Sequence, residues 1–177
     1  PRSTQTALVG CATFSDVTSL LKHMDASLGG SLSAFEVMWN EFFRLVTTPP
    51  AKGTAPLSQD YPYYVLIESS GGDETRDQAQ FEEAIAAAIE AGIVVDAVVC
   101  SSEAQRDALW ALRDDVEGIF RLGMPVAFDV SLPLAEMEAY VTEVVGRLER
   151  EWPVYSRFVF GHLGDGNLHI IAAGPPS

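Results

Sequence analysis

The chain has 177 residues, of which 47% are hydrophobic and 20% are charged, and its formal net charge is −14 at pH 7. This length and balance are typical of one globular domain, and the negative charge argues against nucleic acid or an anionic lipid surface as a partner, because phosphates would be repelled. No apolar run approaches the roughly eighteen residues of a membrane helix, so membrane insertion is not expected.

Strand-like and helix-like patterns alternate along the chain. Apolar runs rich in β-branched and aromatic residues predict strands, and apolar residues that recur every three or four positions after a capping residue predict helices. The predicted strands are 5–13, 32–38, 63–69, 93–100, 125–132, 155–160 and 168–172. The predicted helices are 15–28, 39–46, 73–91, 102–122 and 134–150, and residues 47–62 form a loop rich in proline and glycine.

This alternation predicts a single α+β domain over residues 1–177. A ferredoxin-like, mostly antiparallel sheet with helices packed on one face fits the element lengths. A parallel sheet fits them as well, because the sequence does not fix the strand directions. We take the ferredoxin-like arrangement as the prediction.

The two cysteines, Cys11 and Cys100, lie far apart in apolar, strand-like runs. They lack the CxxC spacing of metal or redox sites, and we interpret them as two buried free thiols in a reducing cytosol. The first residues also lack the apolar core of a signal peptide. A cytoplasmic location is therefore predicted.

The stretch GHLGDGNLH, residues 161–169, contains two of the three histidines, His162 and His169. Side chains seven positions apart on an unbroken strand point to opposite faces, but the glycines, Asp165 and Asn167 between them are turn formers. A turn would let both imidazoles converge, as in a divalent-metal or catalytic site. The alternative is a glycine-rich hairpin with two incidental histidines.

The same stretch resembles, nearly residue for residue, the signature of the C-terminal domain of FAD-linked oxidases and dehydrogenases. These flavoenzymes oxidise D-lactate, glycolate and D-2-hydroxyglutarate. The runs AFEVMW, LWALRDDV and FDVSLPL are similar to three further patterns of that domain, in the same order. The resemblance implies a substrate-side domain whose flavin-binding domain precedes residue 1, and whose final segment follows Ser177.

The resemblance also implies roles for individual residues. His162 and His169 would hold a divalent metal, zinc or manganese, while a third ligand and the catalytic base are expected beyond Ser177. Arg113 would bind the substrate carboxylate, and Asn167 would lie near the flavin edge or the substrate. For Arg113 another interpretation stays open: an arginine in an apolar stripe can also reach solvent or pair with Asp129.

The function implied is the oxidation of a small 2-hydroxy acid by hydride transfer to FAD. The flavin would be bound mainly by the missing domain, the electron acceptor is not specified, and a homodimer stays open. The alternative is a non-catalytic binding or interaction domain that keeps the fold. The isolated fragment is expected to be inactive.

Two positions depart from the D-2-hydroxyglutarate branch of the family. Glu117 stands where that branch usually has threonine, and Ala127 or Phe128 stands where it has lysine. These departures weaken the case for a second substrate carboxylate. They indicate a different hydroxy acid or an unrelated substrate.

A phosphate-binding loop is not predicted anywhere in the chain. Gly71 and Gly72 form a glycine pair after a predicted strand, but Asp73 and Glu74 follow at once. Carboxylates at a helix N-terminus occupy the position that a pyrophosphate would need. The sequence therefore excludes a nucleotide-binding function for this chain alone.

Overall fold

A computed structural model describes residues 3–175 of the chain. It contains a seven-stranded sheet with the order β4-β1-β3-β2-β6-β7-β5, in which neighbouring strands are antiparallel. The strands are β1 Ser3–Cys11, β2 Leu32–Trp39, β3 Tyr63–Gly71, β4 Asp96–Val99, β5 Met124–Ser131, β6 Ser156–His162 and β7 Asn167–Gly174. The α-helices are α1 Phe14–Leu28, α2 Asn40–Thr47, α3 Glu74–Glu90, α4 Glu103–Asp114 and α5 Leu134–Glu151. Two 3₁₀ helices, Val116–Leu122 and Leu163–Asp165, complete the fold.

The first four strands form the predicted ferredoxin-like unit. Helix α1 connects β1 to β2, and helix α3 connects β3 to β4. In each case another strand lies between the two that are connected, and both neighbours of that strand run antiparallel to it. Strands β6, β7 and β5 extend the same sheet beyond β2. The α+β, antiparallel prediction is confirmed.

Strand residues alternate between the two faces of the sheet, and each face has its own apolar core. On the first face, helices α1, α3 and α5 cover side chains such as Val9, Val37 and Ile67. On the second face, helices α2 and α4 and the first 3₁₀ helix pack against a smaller set that includes Leu66 and Phe160. The three longest helices therefore share one face and the shorter ones cover the other, so helices pack on both faces and not on one face as predicted. Apolar residues at consecutive strand positions, as in β3, require cover on both faces.

The cap of helix α1 lies two or three residues earlier than predicted. The side chain of Thr13, not Ser15 or Asp16, accepts a hydrogen bond from the backbone N–H of Asp16, and the Asp16 carboxylate accepts from the Thr13 backbone N–H. This reciprocal capping box satisfies two N–H groups that a helix start leaves free. Helix α3 is capped by Asp73, which accepts from the backbone N–H of Arg76.

Two elements are shorter than predicted. The helix predicted over 102–122 ends at Asp114, and a 3₁₀ helix follows it. Neither proline nor glycine stands at residue 115, so apolar periodicity continues through the break and conceals it. Strand β4 begins only at Asp96, because the backbone N–H groups of Ile93 and Val94 both bond to Ala88 at the end of α3.

The cysteines are both free, but they differ in burial. Cys11 is fully buried, whereas Cys100 is partly exposed, so the expectation of two buried thiols is wrong for Cys100. Cys100 follows the short edge strand β4, where fewer elements cover it. No helix within residues 3–175 is long and apolar enough to cross a membrane. The sequence predicts further segments before residue 1 and after residue 177. The residues at these two junctions, 1–2 and 176–177, lie outside the described residues.

Candidate functional site

The glycine-rich stretch folds as a tight connection between β6 and β7. The 3₁₀ helix Leu163–Asp165 is followed by Gly166, whose φ of +69° lies in the left-handed region that favours glycine. A Cβ on Gly161 would stand 2.6 Å from a backbone oxygen of β7, so only glycine fits there. The connection brings the rings of His162 and His169 to 5.7 Å between centroids. The predicted convergence of the two histidines is present.

His162 is held by a carboxylate on the neighbouring strand. Its register partner on β2 is Glu36, and side chains directly opposite on antiparallel strands are close enough to interact. The Glu36 Oε1 atom lies 2.7 Å from the His162 Nδ1 atom. The Glu36 side chain is only 6% exposed, whereas the imidazole is 45% exposed. Glu36 is therefore a buried support beneath a ring that faces outward.

Arg113, on α4, joins the same cluster. Its Nε donates to Glu36 Oε2 at 2.9 Å, and its Nη2 lies 3.1 Å from His162 Nε2. Its Nη1 donates to Asp114 at 3.2 Å, and its guanidinium carbon stands 5.6 Å from the centre of the Phe160 ring. The arginine is therefore anchored within the protein, and its partner is Glu36 rather than Asp129.

These contacts determine which ring nitrogen of His162 carries the proton. A guanidinium can only donate, so His162 Nε2 accepts from Arg113. The ring proton must then sit on Nδ1 and be donated to Glu36. Arginine has five N–H groups, and three of them are used in the contacts described, which leaves two for a ligand.

His169 has an analogous but more exposed partner. Its register partner on β5 is Asp129, and its Nδ1 contacts the Asp129 carboxylate. The Asp129 side chain is 71% exposed. The His169 ring also packs against Phe160, at 5.1 Å between centroids. Both histidines thus direct Nδ1 at a carboxylate on an adjacent strand, one buried and one open to water.

Asn167 begins β7, two residues before His169, and strand alternation places it on the same face. Its amide nitrogen lies 3.5 Å from the Val130 carbonyl oxygen and 3.5 Å from the Ser131 hydroxyl. Both contacts are at the outer limit of a hydrogen bond. The side chain is therefore only loosely held beside the histidines.

The donor set fits part of a divalent-metal site. Metal-bound histidines commonly direct their second nitrogen at a carboxylate, as His162 and His169 do. Zinc sites usually have three or four protein ligands, however. Within residues 3–175, no three His, Cys, Asp or Glu side chains are arranged to hold a metal ion. The described residues fit two ligand positions of such a site.

The glycine pair Gly71 and Gly72 does not form a phosphate-binding loop. The backbone N–H of Asp73 donates to the Asp77 carboxylate, and the Asp73 side chain caps the same helix. The helix start after Gly71 and Gly72 is thus occupied by carboxylates, as predicted. A pyrophosphate would be repelled there.

A separate cavity of about 990 Å³ lies between α4, the first 3₁₀ helix and the proline-rich loop. Its lining includes Val46, Pro56, Cys100, Leu109 and Leu112, but not Arg113 or the two histidines of the site. The site therefore lies outside this cavity.

Glu36 is the residue of this cluster that the sequence did not single out as a site residue. It lies in the apolar run AFEVMW, where a lone carboxylate is itself a signal, because buried charges require partners. Its partners could not be named without the strand order.

Similar proteins place this geometry in a family. Residues 1–176 match the family described as FAD linked oxidases, C-terminal domain. The chain is 33% identical over 169 residues to the mitochondrial D-2-hydroxyglutarate dehydrogenase of Arabidopsis thaliana, covering 95% of this chain and 30% of that protein. It is 35% identical over 172 residues to the Bos taurus enzyme of the same name, covering 96% and 31%. The chain thus spans about a third of the length of these curated relatives.

Solved structures show the same fold. An alkyldihydroxyacetonephosphate synthase superposes with a TM-score of 0.65 at 13% identity, covering 99% of this chain and 37% of that one. A 4-ethylphenol oxidase from Gulosibacter chungangensis gives a TM-score of 0.54 at 12% identity, covering 98% and 39%. Because the family match runs through nearly the whole sequence, the chain belongs to the FAD linked oxidases, as their C-terminal domain.

Proposed function

We propose that this chain is the substrate-side domain of a longer FAD-linked dehydrogenase that oxidises a small 2-hydroxy acid. The observation that carries the proposal is the contact between Arg113 and His162. It places a guanidinium with two remaining donors beside two imidazoles on one face of the sheet. The names of the relatives, D-2-hydroxyglutarate dehydrogenases, support the same class of substrate.

Arg113 is the proposed binding group for the substrate carboxylate. Its two remaining N–H groups, one on each terminal nitrogen, match the two oxygens of a carboxylate. Glu36 and Asp114 balance part of the arginine's charge, but neither uses those two hydrogens. The substrate would therefore add to the existing contacts rather than displace them. Asn167 is proposed as a further polar contact near the substrate or the flavin edge.

His162 and His169 are proposed as two ligands of a divalent metal, zinc or manganese, with the remaining ligand and the base supplied from outside this chain. A metal bound there would supply a Lewis acid that lowers the pKa of the substrate hydroxyl. Glu36 and Asp129 support this role, because carboxylates on Nδ1 orient both rings and direct Nε2 away from the supporting strand. At His162 the metal would take the Nε2 lone pair that now accepts from Arg113 Nη2, and the guanidinium would be released from that contact. The flavin supplies the hydride acceptor and is proposed to be held mainly by another domain.

The residues at the two positions that depart from the D-2-hydroxyglutarate branch favour a substrate with one carboxylate. Glu117 is exposed on the first 3₁₀ helix, and Ala127 on β5 shares the face of Asp129. Neither side chain can pair with a second carboxylate. We therefore propose D-lactate or glycolate ahead of D-2-hydroxyglutarate.

Location and assembly remain proposals as well. The named relatives are described as mitochondrial, so the predicted cytoplasmic location is not confirmed. A homodimer and an external electron acceptor are compatible with the proposed enzyme.

The test uses the intact protein that contains this chain. It would be given D-lactate, glycolate, D-2-hydroxyglutarate or L-lactate, with a redox dye as the electron acceptor and the keto acid product quantified. We expect stoichiometric flavin absorbance and oxidation of D-lactate or glycolate, with kcat/KM at least about tenfold above that for D-2-hydroxyglutarate, since a missing ion pair costs about 1.4 kcal/mol or more.

Each other outcome is informative. Preference for D-2-hydroxyglutarate would contradict the substrate-size argument while keeping the reaction class. Failure to oxidise any 2-hydroxy acid, with flavin bound, would favour a non-catalytic binding domain instead.

A further inference from the structure

We propose that Glu36 is a positioning residue that sets both the direction of the Arg113 guanidinium and the tautomer of His162. This inference rests on the proposed function, since it explains how the substrate-binding arginine and the proposed metal-binding histidine are held in a fixed position relative to each other. No substrate atom needs to touch Glu36. Its role is exerted through its two partners.

The two carboxylate oxygens of Glu36 are divided between the two partners. Oε2 accepts from Arg113 Nε at 2.9 Å, and Oε1 accepts from His162 Nδ1 at 2.7 Å. Because Arg113 Nη2 also contacts His162 Nε2, the three side chains form a closed ring of contacts. Moving any one of them breaks a contact with each of the other two.

The location of Glu36 makes water a poor substitute. The residue lies in the interior of the sheet, on β2 between β3 and β6, and its side chain is 6% exposed. Its place on a strand fixes it relative to His162, its direct register partner. Arg113 lies on a helix, and its hydrogen bonds described within residues 3–175 all go to side chains. Glu36, which is held in place by strand β2, therefore orients the Arg113 side chain on α4.

Replacing Glu36 with glutamine would make its hydrogen bonds to Arg113 and His162 incompatible with the present position of the histidine proton. The amide has one acceptor oxygen and one donor nitrogen. If its oxygen still accepts from Arg113, its nitrogen donates toward His162 Nδ1, which must then lose its proton. The proton moves to Nε2, where it opposes the Arg113 N–H and removes the lone pair that a metal would use. An isosteric change would thus disturb the arginine and the histidine together.

Glu68 provides a matched control. It lies on the adjacent strand β3, on the same face, and accepts from Trp110 of α4 at 2.8 Å and from Thr6 at 3.1 Å. Glu68 thus also links α4 to the sheet through a side-chain hydrogen bond, but it has no contact with Arg113 or the histidines among the hydrogen bonds described for residues 3–175. Glu68→Gln removes a carboxylate charge beneath α4 but keeps an oxygen that can accept from Thr6 and Trp110, so it controls for the loss of charge without affecting the site.

The experiment compares Glu36→Gln, Glu36→Asp and Glu68→Gln in the intact protein, with the hydroxy acid that the wild type oxidises. We expect Glu36→Gln to lower kcat/KM by about 10- to 100-fold, as is typical when the partner of a functional histidine is lost. KM should rise through Arg113, and kcat should fall through His162. Glu68→Gln should stay within about twofold of the wild type, because the hydrogen bonds described for Glu68 go to Thr6 and Trp110 and not to the site residues.

A second readout does not depend on turnover. Nuclear magnetic resonance of ¹⁵N-labelled histidine rings, with His162 assigned by its loss in His162→Asn, reports which ring nitrogen carries the proton. The wild type and Glu36→Asp should have the proton on Nδ1, and Glu36→Gln should have it on Nε2. The aspartate variant, which keeps the charge but shortens the reach, should have intermediate activity.

An unchanged His162 tautomer in Glu36→Gln, or equal losses of kcat/KM in Glu36→Gln and Glu68→Gln, would overturn the proposal. If the wild type oxidises no hydroxy acid, the proposed function fails, but the tautomer measurement still decides the role of Glu36. If Glu36→Gln does not fold, the Nδ1 proton and intermediate activity of Glu36→Asp support the proposal, and activity equal to the wild type contradicts it.

Discussion

The two faces of the sheet differ in what they bury. The first face, under α1, α3 and α5, buries apolar side chains such as Leu20 and Phe81. The second face buries a smaller apolar core and also carries Glu36, the one charged residue that is buried among residues 3–175. Arg113, His162 and His169 all lie on this second face.

The first face of the sheet therefore contributes mainly to stability, and the second face carries the candidate functional site. Burial of apolar surface stabilises a fold without regard to direction, so the first face can accept other apolar side chains of similar volume and shape. A buried carboxylate is tolerated only when its partners are in place, and such pairs contribute little net stability. The second face therefore has strict geometric requirements that folding alone does not explain.

The largest effect on stability should come from the first face. Phe81 is fully buried on α3, and Phe81→Ala should lower the free energy of unfolding by about 3–5 kcal/mol, because the cavity cannot collapse completely. Chemical denaturation of the intact protein measures this loss. On the same helix, Ile89 is 45% exposed, and Ile89→Ala should cost less than about 1 kcal/mol. Flavin content and kcat/KM per folded molecule should not change in either variant.

The largest effect on activity should come from Arg113 on the second face. Arg113→Ala should lower kcat/KM by the equivalent of about 2–5 kcal/mol, since it also strands the buried Glu36 carboxylate. Arg113→Lys should lose less but still much of the rate, because a point charge cannot reproduce the planar fork. Arg106→Ala is the control, since Arg106 lies on the same helix and pairs with the exposed Asp107. Full activity in Arg113→Lys would contradict the proposal that Arg113 binds the substrate carboxylate through two N–H groups.

A smaller effect is expected at the second histidine. Asp129→Asn should lower kcat/KM by about tenfold, the lower end of the range for partners of functional histidines, because water reaches Asp129 and can replace it. The loss should be smaller than that in Glu36→Gln. Asp107→Asn, remote on α4, should have no effect. A larger loss at Asp129 than at Glu36 would show that burial does not rank the two carboxylates.

Metal binding should be weak in this chain taken alone. Two imidazoles leave at least one protein ligand position to be supplied from elsewhere. Isothermal titration of the isolated chain with zinc or manganese should give a Kd of about 1 μM or weaker, equivalent to about 8.2 kcal/mol or less, and the binding should vanish in His162→Ala. Nanomolar affinity would mean that a further ligand exists within the chain.

The smallest effect concerns the thiols. Burial raises the pKa of Cys11 to about 12, with a further contribution from Asp16, and burial also raises the pKa of Cys100. At pH 8 a thiol reagent should modify Cys100 slowly and leave Cys11 intact, as checked by mass spectrometry of the labelled peptides. The protonated Cys11 thiol stabilises the fold fully below its ordinary pKa near 9.0, and this contribution is lost as the pH rises toward about 12.

Local sequence patterns predicted helices and strands correctly where the capping or turn residues agree with the periodicity of the apolar residues. Helix α3 begins after Asp73 as its cap indicates, and β6 and β7 flank the turn that the glycines predict. The helix break at Asp115 was missed because no residue there opposes a helix, and tertiary packing decided the change to a 3₁₀ helix. The two-sided packing of the sheet was missed because alternation within a short apolar strand does not identify what covers each face.

The convergence of the two histidines was determined by the sequence itself. They are separated by seven positions, and the turn residues between them fold the chain back locally, so the sequence alone predicts that the rings converge. Glu36 is different, because 126 positions separate it from His162 and 77 separate it from Arg113. Its partners depend on β2 lying beside β6 and on α4 crossing that face. Strand order is set by the packing of the whole chain, and so only the tertiary structure could decide which carboxylate supports the site.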